Sequence, residues 1–278
     1  MEWFVEKHDG TGFMIEGRKI DEREGVQKIE IFDTSMGKML VIDDKIQFTE
    51  KDEAFYHEML VHVPMLIHPS PRRVLIIGGG DGGAAREVLK HNPEEIKVVE
   101  IDRNVVEMCR KHIGIDRGAM NNEKVKIIYE DGMEFVGGCE EKFDVIIVDG
   151  SDPDAKSKSL VSRNFYSKCS HICDIFVAQS QSPVFQQEYF EAILKNSSSF
   201  PHRKIYLSFI PSYPSGMWRF LIASNKKMEW NREEIKRRYE ERKLKTLHYA
   251  PSLHFASFIL PKWLEEIARR NGMEIEEF

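Results

Sequence analysis

The sequence predicts an α/β protein, with a mostly parallel, doubly wound sheet behind a small antiparallel β domain. Three observations carry this prediction. The run Val74-Leu75-Ile76-Ile77 is apolar without a break and passes straight into Gly78-Gly79-Gly80-Asp81-Gly82-Gly83. From Pro71 onward, short apolar runs alternate with helical patterns. Before that point, residues 1 to about 50 read as short strands with turn residues between them.

A continuous apolar run marks a strand buried on both faces. The glycines that follow, and the helical pattern of Ala84-Ala85-Arg86-Glu87-Val88-Leu89, make the first corner of a nucleotide-binding βαβ unit. Glycine is suited there because a side chain would hold a ligand off the backbone, and because such turns use positive φ. Asp81 sharpens the reading. A carboxylate among those glycines repels a pyrophosphate or another carboxylate and welcomes a cation, which weighs against a NAD dehydrogenase.

In chain order, Val26 to Phe32 alternates, and Lys38-Met39-Leu40-Val41-Ile42 and Ile46-Gln47-Phe48-Thr49 flank Asp43-Asp44, a good hairpin turn. Phe55, Met59, Leu60 and Val63 recur at helical spacing, so a helix is expected from Asp52 to about Ile67. Pro69 and Pro71 mark the boundary, giving an N-terminal domain over 1–68 and a catalytic domain over 69–278. Strands follow at Ile96–Glu100, Val125–Tyr129, Val145–Val148 and Ile175–Ala178, with helices at Asn104–His112, Arg163–Ile172 and near Gln186–Lys195. Lys204–Ile210 and Trp218–Ala223 are expected to pair as an antiparallel edge, and the tail from Asn231 to be helical and charged.

The 278 residues, 41% hydrophobic, suffice for one large domain or two unequal ones. A net charge of −6 argues against general affinity for nucleic acid and suits a cationic substrate. Cys109, Cys139, Cys169 and Cys173 form no CxxC pair, so free thiols and no structural zinc are expected, with Cys169 and Cys173 on one helical face. The N-terminus lacks a secretory pattern and no apolar run approaches the ~18 residues of a membrane span. A cytoplasmic protein without membrane attachment is the expectation.

In open α/β sheets, ligands bind outside the carboxyl ends of the strands. Here Asp81, Glu100, Asp131 and Asp149 follow or end successive strands, and Asp152 lies just beyond Asp149. Single acids of this kind are ordinary turn or cap residues. Several on one rim would repel one another unless a cation sits among them. Glu100 holds the place of the usual ribose-hydroxyl acceptor. Asp131 is either a turn residue or an adenine contact. Asp102 is expected to cap the helix near Asn104, and Asp144 merely to open its strand.

These motifs resemble the polyamine aminopropyltransferases, the spermidine synthase family. The resemblance lies in Gly78 to Gly83 with Arg86-Glu87-Val88-Leu89-Lys90-His91, in Tyr56-His57-Glu58-Met59, and in Val99-Glu100-Ile101-Asp102. It continues through Asp144-Val145-Ile146-Ile147-Val148-Asp149, Ser151-Asp152-Pro153, Tyr213-Pro214-Ser215-Gly216 and His254 to Pro261, and so covers nearly the whole chain in order. It implies a Rossmann-like, class I methyltransferase-like sheet. It also implies transfer of an aminopropyl group from decarboxylated S-adenosylmethionine, a co-substrate, to a diamine, putrescine by default. No cofactor or metal is implied, and a homodimer or homotetramer is.

By the same resemblance, Gln27 and Glu100 would meet the ribose, Asp131-Gly132 the adenine, and the glycine turn with Gly78 and Gly80 the nucleoside. Asp81 would hold the propylamine ammonium. Tyr56, His57, Asp149, Gly150, Ser151, Asp152, Gln179 and Tyr213 would line the amine site, with Asp149 as general base. The chain departs from the family at Gly150, in place of a hydroxyl residue, and at Asp154-Ala155-Lys156-Ser157-Lys158, in place of a small, stiff segment. Agmatine, cadaverine or a longer polyamine stay open as acceptors. A class I methyltransferase and a non-catalytic polyamine-binding relative are the competing readings.

Overall fold

Alternating side chains at the start of the chain build a five-stranded antiparallel sheet: β1 (Glu2–His8), β2 (Thr11–Glu24), β3 (Lys28–Thr34), β4 (Gly37–Ile42) and β5 (Lys45–Thr49), in that order. The computed structural model describes residues 2–8, 11–151 and 158–276. Asp43 and Asp44 have φ of 47° and 61°, the paired positive values of a two-residue hairpin turn. At 14 residues with a bulge between Lys19 and Asp21, β2 is longer than the short strands expected. One face of this sheet, Ile29, Ile31, Leu40, Ile42 and Phe48, is buried with Val105, Met108 and Cys109 of α3 (Arg103–His112), which docks the sheet on the rest of the molecule.

Helix α1 (Glu53–Ile67) is expected to bury one face, but it is buried almost all round, including Glu53, His57, Glu58 and His62. Its polar side chains therefore need partners. Glu58 accepts the backbone N–H groups of Leu247, His248 and Tyr249 at 2.8 Å.

The second sheet has seven strands: β6 (Arg73–Gly78), β7 (Glu95–Glu100), β8 (Val125–Tyr129), β9 (Phe143–Asp149), β10 (Cys173–Gln179), β11 (His202–Phe209) and β12 (Met217–Ser224). Their spatial order is β11-β12-β10-β9-β6-β7-β8. The core from β10 through β8 is parallel, and β12 runs antiparallel between β10 and β11. The expected antiparallel pair thus exists with β12 inserted inward and β11 at the edge. Helices α2 (Gly83–Leu89), α4 (Gly132–Gly138), α5 (Arg163–Ile172) and α6 (Gln187–Asn196) connect the strands. Helices α7 (Arg232–Glu241), α8 (Pro251–Ala256) and α9 (Lys262–Arg270) make up the tail.

Two expectations change. Cys169 lies on α5 but Cys173 opens β10 opposite Phe143, so the two share no helical face, because the helix ends at Ile172. Helix α4 has no counterpart in the sequence reading: its glycines, Gly132, Gly137 and Gly138, mask the helical pattern. Among the described residues, no helix is long and apolar enough to cross a membrane.

Candidate active site

The first strand of the parallel sheet, β6, has β7 on one side and β9 on the other. The chain reverses its direction of winding there, and the carboxyl ends of these strands open a crevice. A cavity occupies it. Its lining includes Asp81, Glu100, Asp131, Gly132, Asp149, Gly150, Ser151 and Gln179 from the sheet, and Glu6, Gln27, Gln47 and Phe48 from the N-terminal sheet. Tyr56, His57, Gly78, Gly80 and Tyr213 line it too. Every proposed site residue that the structure describes reaches this one cavity. Asp152 and the segment Asp154 to Ser157 lie outside the described residues.

The glycine turn is built for contact. A Cβ on Gly78, whose φ is +82°, would fall 2.1 Å from the carbonyl oxygen of Asp149. The Gly79 N–H donates to that same oxygen at 2.9 Å, so the ends of β6 and β9 are tied together. Asp81 turns back to accept the Gly83 N–H at 2.6 Å.

Glu100 accepts the N–H groups of Gly80 (3.1 Å) and Asp102 (3.0 Å). Burial outweighs these bonds and pushes its carboxyl up to about 7. Asp102 caps α3 as expected, taking the Asn104 N–H at 2.9 Å, and also accepts the Gln27 N–H at 2.9 Å. This second bond fixes Gln27, between β2 and β3, at the wall of the cavity. The Gln27 side chain reaches Ser151 Oγ at 3.3 Å. Asp131 caps α4 through the N–H groups of Met133 and Glu134, so its turn role is real, and with Gly132 it faces the cavity as well. Asp144, at the far end of β9, accepts the N–H groups of Arg72 and Arg73.

At the other end, His57 Nε2 lies 3.4 Å from Asp81 Oδ1 and 4.0 Å from Asp149 Oδ2. Its Nδ1 meets Glu53 Oε2 at 2.7 Å. Burial alone would discharge this ring, but Asp81 and Glu53 hold its pKa well above the ordinary histidine value. Asp149 is raised to about 6, chiefly by burial and then by Asp81, against the opposing pull of His57. Its buried Oδ2 has no hydrogen-bond partner among the described residues. Tyr56 stacks edge-on to His57 at 5.2 Å and tilts against Tyr213 at 5.9 Å. The Tyr213 hydroxyl donates to the Gln47 carbonyl. Gln179, at the end of β10, directs its amide N–H to the Gly150 carbonyl at 3.4 Å.

The ligand-type atoms of His57, Asp81 and Asp149 lie within 4.8 Å of one another.

The methyltransferase-like sheet thus sets two carboxylates, Asp81 in its glycine turn and Asp149 at the end of β9, at one crevice. Comparison with known proteins gives the family. Residues 53–234 match the spermine/spermidine synthase domain, and residues 2–50 match the spermidine synthase tetramerisation domain. The chain is 53% identical over 268 residues to a polyamine aminopropyltransferase of Archaeoglobus fulgidus, covering 96% of this chain and 98% of that one. It is 37% identical to one of Methanocaldococcus jannaschii, covering 96% and 95%. Spermidine synthase from Thermotoga maritima superposes with a TM-score of 0.90 at 33% identity, covering 97% and 95%. A spermidine synthase in complex with the transition state analogue AdoDATO superposes at 0.91, also at 33% identity with 97% and 95% covered. The chain belongs to the spermine/spermidine synthase family and is an enzyme of the polyamine aminopropyltransferase class.

The sequence reading missed Glu53, Arg86 and Asp102 as residues that position the site. The spacing of Glu53 to His57, one helical turn, was a usable signal. For Arg86 and Asp102 the signal exists only across the fold.

Proposed function

We propose that the enzyme moves the aminopropyl group of decarboxylated S-adenosylmethionine to putrescine, giving spermidine, methylthioadenosine and a proton. One observation carries this: Asp149 lines the cavity with a buried Oδ2 that makes no hydrogen bond among the described residues and lies within 4.8 Å of ligand-type atoms of Asp81 and His57. Glu100, Gln27, Asp131 and Gly132 would hold the nucleoside against the turn at Gly78 and Gly80. Asp81 would take the ammonium of the aminopropyl group. The sulfonium is already a good leaving group, so the carbon–sulfur bond needs no metal or cofactor to break.

The barrier lies in the nucleophile. An alkyl ammonium titrates near ~10, so freeing its lone pair at neutral pH costs about 4 kcal/mol. Desolvation in the cavity lowers that pKa, and burial has raised Asp149, so the two proton affinities converge. Asp149 would accept the proton while Asp152, Ser151, Gly150 and Gln179 hold the amine and Tyr56 and Tyr213 pack on its methylenes. Alignment of nitrogen, carbon and sulfur supplies much of the remaining acceleration.

Asp81 also selects the donor. A donor that kept the carboxylate of intact S-adenosylmethionine beside Asp81 would meet a repulsion of about 4 kcal/mol, the figure for two like charges ~4 Å apart at an effective dielectric of ~20. That corresponds to roughly a thousandfold weaker binding. We further propose that the chain divides at residues 68 and 69, works in the cytoplasm, and assembles as a homodimer or homotetramer through its N-terminal sheet.

The test is an amine panel (putrescine, agmatine, cadaverine, spermidine) with decarboxylated S-adenosylmethionine, products being identified by mass. Putrescine is expected to dominate, with one methylthioadenosine released per spermidine. Preference for another amine would move the acceptor assignment. Tighter calorimetric binding of intact S-adenosylmethionine would return the methyltransferase reading, and ligand binding without methylthioadenosine release the non-catalytic one.

A further inference from the structure

We infer that Glu53, clamped by Arg86, is a positioning residue: it fixes the His57 ring with Nδ1–H toward itself and Nε2–H toward Asp81 and Asp149, and so keeps Asp149 ionised and ready for a proton. The inference rests on the reading of Asp149 as the base.

The geometry is a closed set of contacts. Glu53 and His57 lie one turn apart on α1, with Oε2 to Nδ1 at 2.7 Å. Arg86, from α2, grips the Glu53 carboxylate with two parallel N–H groups, both at 2.9 Å. A fork of this kind fixes the plane of the carboxylate as well as its place. Arg86 is itself held by Glu87 Oε1 at 2.7 Å and by the Ile115 carbonyl at 2.7 Å. Glu87 continues to His62 at 2.9 Å, and His62 to His91 at 2.8 Å, so the clamp is anchored through the interior. The imidazole is seated from the other side by Gly83, where a Cβ would stand 2.5 Å from ring atom Cε1. The ring thus packs directly on a residue that has no side chain, while the Glu53 bond to Nδ1 sets which edge faces Asp81.

The orientation has an electrostatic consequence. With one hydrogen on Nδ1 only, the Nε2 lone pair would face two carboxylates, so the second proton is held there. The charged or titratable groups around the ring are Glu53 and Tyr56 on its own helix, Asp81 in the glycine turn, and Asp149 on β9, with Arg86 and Glu87 of α2 behind Glu53. Burial pushes Glu53 up, but hydrogen bonds from His57 and Arg86 outweigh it and hold it down to about 2. The resulting imidazolium, followed by the Tyr56 hydroxyl, opposes burial and Asp81 at Asp149. Without the Glu53 charge, His57 would lose its proton more readily, and Asp149 would keep its own to higher pH.

The test uses the full-length enzyme and Glu53→Gln, which keeps the shape and removes the charge. Ring-nitrogen NMR of histidine-labelled protein reads His57 directly, with His57→Gln giving the assignment. In the parent both ring nitrogens are expected to be protonated near pH 7. In Glu53→Gln the titration is expected to fall by about one to three units. The acid limb of kcat/KM for the amine should then rise by about one unit, a tenfold loss below the limb. Glu53→Asp, which keeps the charge, should leave that limb close to the parent's. Should Glu53→Gln fail to fold, Arg86→Lys, which gives up the fork, is expected to move both readouts the same way by less. A neutral His57 in the parent, an unchanged titration or an unmoved limb would overturn the inference. Full turnover by Asp149→Asn would remove the base instead, and the ring-nitrogen titration would still decide whether Glu53 holds the His57 proton.

Discussion

At the scale of single residues, burial sets the chemistry. Asp149 and Glu100 are both acids at strand ends, yet they sit in different company. Asp149 faces His57 with an unsatisfied oxygen, whereas both Glu100 oxygens take backbone N–H groups. Asp149→Asn removes the proton acceptor and should lower kcat by about 10²- to 10⁴-fold while methylthioadenosine still binds. Near-parent turnover in a rapid-quench assay would end its role as base. The proposed contact of Glu100 with the ribose predicts a pH dependence of nucleoside binding. Its carboxyl is raised to about 7 in the folded protein, and ribose hydroxyls donate only to the ionised form with full strength. Affinity for methylthioadenosine should therefore rise with pH through about 7, by at most tenfold per unit, and level off above it. In the free protein the sign is opposite: a raised carboxyl favours the fold at low pH and loses that contribution as pH rises through its folded value. The thermal upshift given by methylthioadenosine should thus grow between pH 6 and 8, and Glu100→Gln should abolish the growth.

At the scale of elements, the tight places are where helices meet the site. Gly83 opens α2 directly under the His57 ring. Gly83→Ala forces a methyl into a packed, polar contact, with an expected loss of about 1–3 kcal/mol of stability and a larger proportional loss of turnover. A methyl on Gly137, in α4, would meet nothing within 4 Å, so Gly137→Ala is the control and should leave both readouts near parent values. Thermal melts paired with initial rates separate the two outcomes. Much of the element plan was legible in the residues. The apolar runs that became β6 to β10 identified themselves by length and by the glycines and acids at their ends. Helix α4 did not, because glycine-rich segments carry no periodicity. The all-round burial of α1 did not either, because the partners of Glu53, Glu58 and His62 come from α2 and the tail, far away in the chain.

At the scale of the whole molecule, two sheets share one cavity. Gln27, Gln47 and Phe48 come from the antiparallel sheet, and the carboxylates come from the parallel one. The first sheet also presents an apolar outer patch. Trp3 and Val5 on β1 and Met14 on β2 point the same way by alternation and pairing, and are 59%, 38% and 61% exposed. Such a patch, within the stretch that matches a tetramerisation domain, suits contact with a second copy. Trp3→Glu combined with Met14→Glu should shift the protein to a smaller species in multi-angle light scattering. An unchanged mass would place the contact elsewhere on the sheet.

The order of apolar runs, glycines and acids was enough to fix the α/β class, the crevice at the strand ends and the family, because strand burial and turn chemistry are local properties written in neighbouring residues. The clamp of Glu53 by Arg86, the hold of Asp102 on Gln27 and the raised proton affinities of Asp149 and Glu100 emerged with the fold alone. Each depends on groups far apart in the chain meeting where water is excluded, and there distance and desolvation, not residue type, set the charge.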